Sequence, residues 1–131
     1  MAKALSKTQK KLDKTIRLAL TDVCEQALEE IAGFTWLTHQ VNYANFPASL
    51  FITCVFESNS DLSDATAGGH THNIQQRIQA KLLKAGVKLK RADSQILFDS
   101  EENCSEQHDG NWQLRLETRK ERAVSKGHPG H

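Results

Sequence analysis

The side chains whose spacing could do chemistry in this chain are mostly basic. Arg77, Lys81 and Lys84 stand four and three residues apart, which on a helix makes one narrow stripe. Lys88, Lys90 and Arg91 follow directly, and Lys3, Lys7, Lys10, Lys14 and Arg17 make a comparable stripe near the start of the chain. Cations so arranged neutralise backbone phosphates and release condensed counterion, so these stripes predict salt-dependent nucleic-acid binding that reads backbone more than sequence. The competing reading is a solvated helix face, since no aromatic platform or glycine-rich phosphate loop adjoins either stripe.

A second group is the polar run from Asp99 to Trp112, with Asp99, Glu101, Glu102, Cys104, His108 and Asp109. Carboxylates, a thiol and an imidazole at this density could hold a divalent cation or move protons. Cys104, however, sits among acids that disfavour its thiolate. The run therefore reads as a structured turn or partner-binding loop. His70 and His72 could in principle join Cys104 and His108 around zinc, but the spacing matches no zinc framework. Gly-x-Ser-x-Gly and His-Glu-x-x-His are absent. No catalytic residue, metal or cofactor is assigned, and the chain reads as non-enzymatic.

A net charge of +1 conceals blocks of opposite sign. Residues 1–17 hold six Lys/Arg against Asp13, residues 18–76 hold seven acids and no base, and residues 77–91 hold six bases and no acid. Residues 92–114 are again purely acidic, and 115–131 are net basic. Such blocks either steer a polyanion or attract one another across the fold or between two chains.

These residues need elements to position them. Leu12, Ile16, Ala19, Leu20, Val23, Ala27, Leu28 and Ile31 recur at steps of three and four, which predicts a long amphipathic helix that stops near Gly33. Phe34 to Tyr43 is rich in aromatic and β-branched residues and predicts a strand of imperfect alternation. Leu50 to Phe56 is apolar on both faces and predicts a central or doubly covered strand. Ser58 to Gly69 has loop composition. A second helix runs from about Thr71 or Asn73 to Ala85, with Ile74, Ile78 and Leu82 inward, and a short strand covers Gln95 to Asp99. Trp112, Leu114 and Leu116 alternate with polar residues after Asp109-Gly110, which favours a strand slightly over a closing helix.

The 38% hydrophobic and 25% charged content is enough to bury a core and suits one domain over residues 1–122, with 123–131 as a flexible tail. The expected architecture is an α+β two-layer sandwich, α-β-β-α-β followed by β or α, with a mostly antiparallel sheet and two helices on one face. No apolar run is long enough to span a bilayer, and Cys24, Cys54 and Cys104 are odd in number without a Cys-x-x-Cys pair, so the expectation is a cytoplasmic protein with no membrane partner.

Three stretches, LTDVCEQALEEIAGFTWLTHQVNY, FPASLFITCVFES and ILFDSEENCSEQHDGNW, resemble an uncharacterised family of small proteobacterial proteins sometimes labelled Fis-family transcriptional regulators. The resemblance implies a DNA-linked, regulatory role. It assigns no recognition residue, because the Fis helix-turn-helix has no counterpart in this C-terminal region. The element order is also similar to ribosome-associated KH-like modules, although the GxxG loop of those modules is absent. The leading expectation is a nucleic-acid-associated or regulatory binding module; the alternative is a protein-interaction or homodimerisation module, and the weakest is a metal-dependent enzyme built on residues 99–112.

Overall fold

A computed structural model describes residues 5–118. Helix α1 (Lys7–Glu30) begins at a reciprocal cap: Gln9 N donates to Ser6 Oγ at 3.1 Å and Ser6 N donates to Gln9 Oε1 at 3.0 Å. Two of the N–H groups that a helix start leaves unpaired are thereby satisfied. Its expected stripe is buried through Ile16, Leu20, Val23 and Ala27. Beyond the helix, Gly33 has φ +84°, and a Cβ there would lie 2.4 Å from the Asp61 side chain, so both backbone angle and space demand glycine.

Strand β1 (Phe34–Gln40) pairs antiparallel with β2 (Phe51–Phe56), which pairs parallel with β3 (Ile96–Ser100); the small mixed sheet has the order β1-β2-β3. A parallel neighbour requires a long crossover. Here it consists of α2 (Asn59–Ala67), α3 (His70–Lys84) and the short α4 (Ala92–Gln95). After β3 come α5 (Glu101–His108) and a helix over residues 112–118, α6. The fold is α+β.

Every residue of β2 is buried, as expected for the central strand. Ile52, Cys54 and Phe56 face α1 and α3 and share one apolar core with Ile16, Leu20, Val23, Ala27, Ile74, Ile78 and Leu82. Register places Trp36, Val55 and Asp99 in one row across the opposite face. A bulge between Phe34 and Trp36 makes this possible: Phe34 lies in the helix-side core while Trp36, two residues on, lies opposite Val55. The irregular alternation of this segment is that bulge, and Thr35 Oγ1 anchors it by donating to Val55 O at 2.9 Å.

Three local expectations are corrected. Residues 58–69 are not an open loop, because α2 occupies most of them. Ser58 Oγ accepts from Asp61 N at 3.0 Å to cap it, and Ala65 is its buried contact. The run Asp99 to Asp109 is not a turn or loop: Ser100 caps α5 by accepting from Asn103 N, and Glu101 and Glu102 in the first turn suit the positive end of the helix dipole. Residues 112–118 are helical rather than the favoured strand, since the left-handed Asp109 and Gly110 end α5 and start another helix instead of a hairpin. The expected tail at 123–131 lies outside the described residues. No helix among the described residues is long and apolar enough to cross a membrane.

Candidate functional site

The α3 stripe is met by the acidic part of α1. Arg77 Nη2 lies 2.8 Å from Glu30 Oε2, and Lys81 Nζ lies 3.4 Å from Asp22 Oδ2. The earlier base meets the later acid, so the two helices run antiparallel and their opposite charge blocks pair within the molecule. On α1, Arg17 bonds Asp13 at 3.1 Å. Lys7, Lys10, Lys14, Lys84, Lys88 and Lys90 are exposed, and none of them forms an ion pair among the described residues. Arg91 uses its backbone N–H to donate to Gln95 Oε1 at 2.8 Å. Lys3 lies outside the described residues.

Part of the polar run is gathered, but into a closed network on the sheet face away from α1 and α3. Arg115 of α6 grips Asp99 with two hydrogen bonds, from Nε to Oδ2 and from Nη2 to Oδ1, and their side chains are only 8% and 2% exposed. Arg115 Nη1 also donates to Gln107 Oε1 at 2.7 Å and lies 3.2 Å from His108 Nδ1. Glu101 accepts from both indoles, Trp36 and Trp112, whose rings meet edge to face with centroids 4.8 Å apart. Glu102 accepts from Asn59 N at 2.8 Å, tying α5 to α2. Hydrogen bonding to Asp99 raises the already high Arg115 pKa against the opposing effect of burial. Burial, followed by nearby Asp99 and Glu101 against a lowering Arg115, pushes the Cys104 thiol up, so it remains a thiol. These bonds tie α5 and α6 to each other, to α2 and to the sheet, and no buried side-chain nitrogen or oxygen among the described residues lacks a partner. Asp109 is exposed at the α5 end and takes no part.

The histidines do not assemble. His70 and His72 lie on the first turn of α3, and no group of three or more His, Cys, Asp or Glu able to hold a metal exists among the described residues.

A feature absent from the sequence reading lies between α1 and β1. A groove of about 560 Å³ is lined by Lys14, Arg17, Leu18, Glu25, Leu37 and His39, among others. Asp13 holds two of the lining residues: Arg17 Nε lies 3.1 Å from Oδ2, and His39 Nε2 lies 3.2 Å from Oδ1, which also accepts from Tyr43 OH at 2.8 Å. Burial raises the Asp13 pKa, but the hydrogen bonds of Tyr43 and His39 and the Arg17 charge outweigh it and leave the carboxyl below the usual range. Cys24 on the wall is raised by burial and does not supply a thiolate. Above the groove, Leu18 is 59% and Leu28 51% exposed on the outer side of α1, which is a large apolar presence on a helix already packed on its other side. Leu28, expected on the apolar stripe, is thus corrected to the exposed side of α1, where it lies with Leu18, because the buried stripe is centred on Ile16, Leu20, Val23 and Ala27.

Compared with protein-family models, curated proteins and solved structures, the chain matches none.

Proposed function

We propose that this chain is a non-enzymatic interaction module that docks a polypeptide partner on the outer face of α1 and the groove between α1 and β1. The observation that carries the reading is the pair of exposed leucines, Leu18 and Leu28, beside a groove with cations Lys14 and Arg17 at one end and Glu25 further along. Apolar anchors ringed by charge are the usual composition of a protein-binding patch. The closed network around Asp99 and the raised thiols of Cys24 and Cys104 supply no comparable reactive group.

The experiment is site-specific photocrosslinking of the full chain in cells, with the reactive side chain at position 18 and a control at exposed position 106 on α5. A discrete adduct at 18 and none at 106 is the expected result. Equal labelling, or none at position 18, overturns the reading.

The exposed lysines Lys7, Lys10 and Lys14 with Lys84, Lys88 and Lys90 favour a second reading, backbone contact with nucleic acid, in line with the DNA-linked role that the resemblance implies. Because Arg77 and Lys81 are already paired, this reading uses fewer cations than the two stripes together. Binding to duplex DNA and structured RNA, measured from low to physiological salt, tests it. Absence of binding to both at low salt removes it.

A further inference from the structure

We infer that the partner on the α1 face is a second copy of this chain, with the two α1 helices packed antiparallel. This rests on the interaction-module reading and names its occupant. The argument starts from the charge reversal along one exposed helix face. Lys7, Lys10, Lys11 and Lys14 occupy its first half, Leu18 and Thr21 its middle, and Glu25, Leu28 and Glu29 its second half, and all are exposed to solvent. Positions 7, 14, 21 and 28 are separated by sevens, as are 11, 18 and 25, so they lie along one seam.

Two such helices related by a twofold axis centred between Ala19 and Leu20 bring opposite charges together throughout. Lys14 then faces Glu25 of the second copy, Lys11 lies on the same flank as Glu29 and one residue out of level with it, and Leu18 packs beside Thr21 at the centre. Leu28 meets Lys10, whose alkyl stem covers apolar surface while its ammonium reaches water. Lys14 and Glu25 are about 16 Å apart along one helix, too far to neutralise each other. None of Lys10, Lys14, Glu25 and Glu29 forms an ion pair among the described residues, whereas Asp22 and Glu30 on the adjoining flank pair with α3. The seam thus keeps the charges that the fold does not use. A parallel arrangement would set lysine against lysine and glutamate against glutamate, so charge alone selects the antiparallel one.

The test is sedimentation velocity of the full chain over a concentration series at low and at 1 M salt. Wild type is expected to dimerise at low salt and to shift toward monomer at high salt, because the seam is exposed and screened. Lys14→Glu and Glu25→Lys each create two like-charge contacts and are expected to weaken the dimer about tenfold or more. The double variant restores the pairing, and an equimolar mixture of the two single variants forms heterodimer. Leu18→Glu abolishes dimer while its far-UV circular dichroism stays at the wild-type value, since the side chain is exposed.

A strictly monomeric wild type, single reversals without effect, or a double variant that fails to recover overturns self-association. If the chain is monomeric while position 18 still crosslinks a different protein, the interaction-module reading stands with another partner. If position 18 captures nothing, both fall.

Discussion

The two faces of the sheet are covered by opposite kinds of chemistry. On one, α1 and α3 pack with aliphatic residues against Ile52, Cys54 and Phe56, and the contact is non-directional. On the other, α6 is held over Trp36, Val55 and Asp99 by a bidentate ion pair and by Glu101 shared between two indoles. An apolar layer tolerates small shifts in the angle of its helices, but a buried guanidinium–carboxylate fork fixes position and orientation together. The first layer supplies the driving force for folding. The second specifies where the C-terminal helices must lie.

Damaging each face once separates the two roles. Phe56→Ala removes a fully buried ring that meets Phe34 edge to face at 5.6 Å, and about 4 kcal/mol of stability is expected to be lost in urea or guanidinium unfolding. Asp99→Ala leaves Arg115 buried without its partner and is expected to cost about 3 kcal/mol. The distinguishing result comes from replacing both partners: Asp99→Leu with Arg115→Leu recovers most of that loss, because no uncompensated charge remains. If the double variant is as unstable as the single one, the fork contributes more than positioning.

The smallest effect lies at the edge of the apolar face. Tyr43→Phe removes the hydroxyl that donates to Asp13 and is expected to cost about 1 kcal/mol near neutral pH. The Asp13 pKa is depressed in the folded protein, so its contribution is present above the unfolded value and disappears as pH falls through the folded one. The Tyr43→Phe difference from wild type, followed by thermal unfolding between about pH 5 and pH 2, therefore shrinks toward zero at the acid end. A difference independent of pH means that the hydroxyl acts through packing and not through the carboxylate.

The same contrast explains what the sequence disclosed. The apolar face was readable because hydrophobic periodicity is a local signal: α1, α3 and β2 follow from Ile16, Leu20 and Val23, from Ile74, Ile78 and Leu82, and from the run at 50–56. Helix α2 was missed because it carries little apolar surface, Ala65 being its one buried residue, and the capping side chains Ser58 and Asp61 are equally common in turns. Arg115 passed as one more charge in an alternating stretch, since nothing nearby in the chain reveals that Asp99, sixteen residues earlier, lies beneath it. Asp13, His39 and Tyr43 were likewise scattered along the sequence and meet only in three dimensions. Arg77, Lys81 and Lys84 all lie on α3, but the pairing of the first two with Glu30 and Asp22 arises only from the antiparallel packing of two helices. Side-chain partners across the fold are non-local, so periodicity cannot report them.

Glu101 has an optical consequence. The chain contains two tryptophans, and both indole N–H groups end on this one carboxylate. Intrinsic emission excited at the indole band is therefore a local gauge of how α5 and α6 sit on the sheet, and it is silent about the α1–α3 layer. A spectral shift without a change in far-UV ellipticity records the release of the C-terminal helices, while coincidence of the two signals records a single cooperative melt.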